Sequence, residues 1–246
     1  MKYIYLGLFL SINSFVLSGC EDGDFVFGKH ITGTGSIISK SRTFSKFDEI
    51  EVANNSDVEI NKGNELSVEV SDYENIIKYT QVSVEGNRLI IKNDPENIYI
   101  SNSHSKVIIH TPNALHILHI SGSGNIVLKD PFNELNKISV TGSGAIEAEQ
   151  PCQLNKLNAS ITGSGDIQFK GTANEVTLHI SGSGDMKFSE VKATNVNCSI
   201  SGSGDASVFA TGTLEAHISG SGDIEYFGHP TVNSSVSGSG EVKHGE

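Results

Sequence analysis

Carboxylates recur down this sequence at nearly constant spacing. Asp166, Asp185, Asp205 and Asp223 follow one another at intervals of 19, 20 and 18 residues, and Glu241 extends the series by 18. Asn125 and Ala145 hold the equivalent places before them, and Asp57 holds it further upstream. Acids in such a file have three uses. They offer hard oxygen ligands to a bridging Ca²⁺. Two of them set about 9.6 Å apart, twice the strand spacing, come near the ~6.5–9.5 Å carboxyl separation of an inverting glycosidase. Or each accepts a backbone N–H in an Asx-type turn. The turn is the expectation. A catalytic pair needs two environments that split two pKa values, whereas these acids recur in the same setting each time. Lyase chemistry on uronates also wants cationic clamps, and both arginines, Arg42 and Arg88, lie far from the acids. The reading is a non-enzymatic protein without catalytic residues or cofactor. Asp166, Asp185, Asp205, Asp223 and Glu241 stand as its candidate cation ladder, with Ca²⁺ the ion to consider and no other metal site.

The remaining reactive residues are fewer. His119, His179 and His217 share one repeat position, but serines intervene, so they cannot meet one metal at bonds of about 2 Å. His110, His116 and His119 cluster in sequence and read as surface polar positions. Cys152 and Cys198 fall at different repeat positions, which argues against a disulfide; Cys198 reads as a small core hydrophobe. Cys20 has another role. Lys2 precedes an apolar run from Tyr3 to Leu17, broken by Ser11, Asn13 and Ser14, and Leu17-Ser18-Gly19-Cys20 follows. This is a secretory signal layout, and the run falls short of the roughly 20 residues of a membrane span. Leu17–Cys20 resembles the lipobox of bacterial lipoproteins, which implies cleavage before Cys20 and acyl chains on it that hold the protein to a membrane. Glu21-Asp22-Gly23-Asp24 resembles the acidic export tag of surface lipoproteins of the Bacteroidetes. Residues 1–19 are thus read as signal peptide and 20–30 as lipidated cysteine and short spacer. With 29 acidic against 17 basic residues and a net charge of −12, the chain lacks the basic field that nucleic acid or an anionic bilayer surface would need.

The elements that position the acids come from a repeat. Gly-Ser-Gly begins at Gly122, Gly142, Gly163, Gly182, Gly202, Gly220 and Gly238. With that glycine as position zero, apolar residues occupy −4, −2, +4 and +6, and polar ones occupy the odd places. Position −2 is β-branched in every copy, from Ile120 to Val236. Period two means strands with one face buried. A unit of 18–21 residues that cannot bury its own face predicts a β-solenoid in which like residues stack at about 4.8 Å. Glycines in strands cost about 0.5–1 kcal/mol each against alanine. They are tolerable where the backbone takes φ > 0 or where the position is too narrow for a Cβ, and the pattern does not choose between the two. Phe169, Phe188 and Tyr226 share the inward +6 column and read as core stacks. Ile50, Val52, Val58 and Ile60 fit the four apolar columns of an earlier coil, with Asn54 and Ser56 in the glycine places. Ile31–Ile37 fits the same register with Gly33 at zero. Breaks at Asp94-Pro95 and Thr111-Pro112 divide a degenerate part, 31–110, from a regular one, 111–246.

The order of segments carries a resemblance: GTGSIISKSRTFSKFDEIEV, DVEI, LSVEV, VEGNRLIIK, then repeated SGSGD. Over about 31–246 the chain resembles the family described as putative auto-transporter adhesin, head GIN domain. That resemblance implies an all-β, right-handed parallel β-helix, secreted or lipid-anchored, in bacteria such as the Bacteroidetes; it supplies no catalytic residues. The expectation is an outer-membrane lipoprotein, facing the cell surface or the periplasm, held through Cys20. Its function would be non-enzymatic adhesion to an extracellular polymer or protein along the solenoid flank. The alternatives are a structural or assembly role in the outer membrane and, behind it, a carbohydrate-active enzyme.

Overall fold

The structure is a computed structural model whose described residues run from 29 to 246; Cys20, the signal segment and most of the spacer lie outside them. Strands dominate, with a single 3-10 turn at Ile77–Tyr79 among the described residues. The repeated segments lie parallel, each on the next. Cys152–Gly163 pairs with Asp166–Gly182, which pairs with Met186–Gly202, followed by Ala206–Gly220 and Thr231–Gly238. The protein is a β-solenoid of about 6 turns.

Like stacks on like, as the repeat requires. Gly142, Gly163, Gly182, Gly202, Gly220 and Gly238 are successive register partners, as are Val140, Ile161, Ile180, Ile200, Ile218 and Val236. The even columns face inward: Ile161, Leu178, Ile180 and Met186 are fully buried. Each such side chain contributes about 1.5–3 kcal/mol of apolar burial. The alternation slips at Ser189–Glu190 and again at Thr194–Asn195, where two neighbours in succession stay out of the core. With the Gly-Ser-Gly bend, these slips give each coil three walls, for example 176–182, 186–188 and 191–193.

Both explanations for the glycines hold, at different places. Gly182 has φ +141°, and a Cβ there would also lie 2.1 Å from the carbonyl oxygen of Gly163. Gly184 takes no positive φ, yet its Cβ would fall 1.9 Å from the oxygen of Gly165. The first glycine turns the corner; the second only lets two backbones approach.

Chain order and spatial order part company in the first third. Ile50, Val52, Val58 and Ile60 are buried, as the columns predict, and they pair with Leu118, Ile120, Ile126 and Leu128. Asn54 and Ser56 lie under Gly122 and Gly124, and the Asn54 side-chain oxygen accepts the Ser56 N–H at 3.1 Å. The opposite edge of this coil is covered by Arg88–Asn93 and Lys106–Thr111, also parallel. Antiparallel strands then close the end: Thr80–Glu85 on Arg88–Asn93, Ser67–Tyr73 on Lys106–Thr111, and Ile37–Arg42 on Ser67–Tyr73. The Gly33 segment departs from its expected register. His30–Thr32 pairs with Tyr99–Ser101 in a separate two-stranded sheet, and Gly33 packs against Asn102, Tyr73 and Ile76. Alternation with a Gly-x-Gly is common to a coil and to a cap strand, so the local pattern could not separate them.

Candidate functional site

The acids do form one file along a corner of the solenoid, but each is engaged differently from an Asx turn. The Oδ1 of Asp166 accepts the backbone N–H of Asp185 at 2.9 Å, Asp185 accepts that of Asp205 at 2.9 Å, and Asp205 that of Asp223 at 2.7 Å. Asp223 accepts the N–H of Glu241 at 2.9 Å. The acceptor therefore reaches one coil along rather than two residues on. Asn125 joins the same file: its amide donates to Asp57 at 2.7 Å, and its oxygen accepts the Ala145 N–H at 3.0 Å. Neighbouring carboxylates at this spacing repel by about 1 kcal/mol in water. A hydrogen bond from backbone to a charged acceptor, worth about 1.5–3 kcal/mol, offsets it. Among the described residues, no three His, Cys, Asp or Glu side chains are grouped as metal ligands.

Other predicted residues fall where packing requires. Phe169 and Phe188 stack in the core with centroids 5.8 Å apart and planes at 9°. Tyr226 continues the column and meets His244 edge-on at 5.1 Å. Cys152 and Cys198 are buried and free, and burial pushes the Cys198 thiol up to about 12. His119 donates or accepts at Nδ1 with Ser139 Oγ, 2.7 Å away.

A groove of about 410 Å³ runs across the second wall where the early coil meets the repeats, lined by Asp57, Glu59, Lys106, Asn125, Lys129 and Glu147. Lys106 and Lys129 both approach Glu59, and Lys129 also pairs with Glu149. The hydrogen bond from Lys106 holds the Glu59 carboxyl below its usual range. This network escaped the sequence reading. Glu59 and Lys106 are brought together only by the detour of the chain through 63–105, and no repeat signals that pairing.

The first wall has another character. Thr141, Thr162, Ser181, Ser201, Ser219 and Ser237 stack in one outward file, and Ser139, Ser160, His179, Ser199, His217 and Ser235 in the next. Rows repeat at about 4.8 Å, and the two files stand about 6.6–6.8 Å apart along the strand. Neither file holds Asp, Glu, Lys or Arg. Among the described residues, the one side-chain hydrogen bond made by a member of these files is that of Ser139 with His119. The arrangement is a flat array of hydroxyls and imidazoles with donor and acceptor capacity free for a ligand.

A family model described as putative auto-transporter adhesin, head GIN domain, matches residues 46–230. Several solved structures share the fold. A putative adhesin from Bacteroides fragilis is 24% identical with a TM-score of 0.78, the match covering 87% of this chain and 99% of that one. A putative lipid binding protein from Parabacteroides distasonis is 28% identical with a TM-score of 0.75, covering 89% and 100%. A putative adhesin from Parabacteroides merdae is 24% identical with a TM-score of 0.69, again covering 89% and 100%. No curated protein matches the chain.

Proposed function

We propose, for a chain that belongs to the putative auto-transporter adhesin, head GIN domain family, a surface-anchored binding module that works without catalysis. The observation that carries this reading is the first wall. Its two charge-free files of Ser, Thr and His repeat on successive coils, which suits an extended polymer or a partner's strand-like surface better than a small molecule. A hydroxylated polymer exchanging one hydrogen bond per coil would gain affinity by repetition, each bond being worth about 0.5–1.5 kcal/mol. The adhesin names of the relatives agree with an adhesion-type role at the cell surface or in secretion. Anchoring through Cys20 in the outer membrane, with the solenoid facing outward, is supported by the lipobox-like Leu17–Cys20 and the acidic stretch behind it.

The test is an array of neutral glycans and matrix proteins probed with the full chain and with the Ser181→Arg/Ser201→Arg variant, whose changes fall on outward positions. Retention by at least one polymer, lost in the variant at unchanged melting temperature, is expected. Retention that ignores the variant, or none at all, removes the first wall as the binding surface.

A further inference from the structure

The two ends of the solenoid are built differently. The lower end is finished by antiparallel strands, and the edge strand Ile37–Arg42 carries Lys40 and Arg42. Charged edges of this kind discourage pairing with a second sheet. At the upper end Thr231–Gly238 pairs only with Ala206–Gly220 below it, and all eight of its residues are exposed. Val232 and Val236 occupy inward columns, yet they are 37% and 44% exposed; one coil below, Leu214 and Ile218 are 0% and 3%. No charged side chain occurs from Pro230 to Gly240 in a chain of net charge −12. The edge thus lacks the features that normally blunt one.

We infer that this face binds a second copy of the same chain, tail to tail across a two-fold axis. Three observations select that occupant. Two bodies of charge −12 meet with least repulsion at the uncharged strand. Head-to-tail stacking is closed off because the opposite end presents antiparallel strands, with Lys40 and Arg42 on the edge strand, rather than an open coil. The third is the register. The residue five before the corner glycine donates to the coil below, as Asn158 does to Asn136 at 2.9 Å. Alternation then turns the N–H and C=O groups of Val232, Ser234 and Val236 upward, away from the body. An antiparallel pairing centred on Ser234 sets Val232 against Val236 of the other copy, and the same pair recurs across the axis. It is the one register that covers both valines at once, and each of its upward-facing residues falls in a hydrogen-bonded pair. The anchored ends of such a pair point in opposite directions, so it would join two membranes rather than two neighbours on one. That last step rests on the anchor read at Cys20; the pairing does not.

Cross-linking tests the pairing. In an antiparallel pair, facing Cα atoms are about 4.5–5.5 Å apart, inside the ~4.4–6.8 Å range of a disulfide. Full-length Ser234→Cys, oxidised mildly, should run as a covalent dimer on a non-reducing gel. Native chain and Asn233→Cys, whose position faces Ser235 instead, should not. Val236→Lys should raise the concentration for half-dimerisation in sedimentation at least tenfold without lowering the melting temperature. The Cys20→Ala protein should pair as the native chain does, so a failed anchor and a failed pairing read differently. Monomers at all concentrations, equal cross-linking at positions 233 and 234, or capture of a different protein by Ser234→Cys would each overturn the inference.

Discussion

The Asp185 carboxylate accepts the backbone N–H of Asp205, one coil along, at 2.9 Å. The backbone N–H of the same residue donates to Asp166 Oδ1, so Asp185, like Asp205 and Asp223 after it, is both clamp and clamped. A file of like charges is held by the backbone it holds in turn.

Substitution at Asp185 separates this role from ion binding. Asp185→Ala leaves the Asp205 N–H without its acceptor and should destabilise by about 1–3 kcal/mol in urea unfolding. Asp185→Asn keeps an acceptor oxygen, relieves repulsion and should match or exceed native stability. A shared Ca²⁺ would reverse that order, with Asn as damaging as Ala and the native protein losing stability in EDTA.

Two glycine substitutions should differ sharply. Gly184→Ala drives a methyl into the Gly165 carbonyl and should cost about 3 kcal/mol or more, since backbone of the neighbouring coil cannot step aside. Gly86→Ala sits at φ +65° in open space and should cost only about 1 kcal/mol of left-handed strain. Thermal melts compare them directly; equal losses would mean that the corner is not close-packed.

Acid should weaken the protein partly through Glu59. Its carboxyl titrates below the ordinary glutamate range because Lys106 hydrogen-bonds it, with Lys106 and Lys129 adding attraction. A depressed folded value stabilises at pH above the unfolded value and loses that contribution as pH falls through the lower one. Glu59→Gln should therefore flatten the decline in urea midpoint between about pH 5 and pH 3. A decline as steep as the native one would remove the ion pair from the acid response.

Cys20→Ala should abolish labelling by an alkyne palmitate in producing cells and release the protein from membranes. Persistent labelling would place the lipid elsewhere and defeat the lipobox reading.

Most of the solenoid could be read in advance because stacking copies a column from coil to coil. Ile180 declares its burial through Ile161 and Ile200 as much as through its own neighbours. Even the worn coil at Ile50–Ile60 kept its four apolar columns. What escaped reading depends on connections without a period. Val52 is followed in space by Ile120 above and Ile91 below, and nothing in the intervening chain announces either neighbour. The acceptor of each acid was missed for a related reason. A side chain reaching one coil along looks, in one dimension, like a turn residue next to its glycine.

The early coil has a consequence for how the protein is made. Its strand Glu49–Val52 leaves the ribosome before either flanking strand, Arg88–Asn93 or Ile117–Ile120, exists. The founding layer is completed only when about half of the polypeptide has emerged, and until then its edges wait unsatisfied. Once closed, it is a finished template, and every later length of some 19 residues can zip onto the last without searching. The order in which the first strands are delivered thus predicts a lag before the founding layer closes and rapid addition of each later coil.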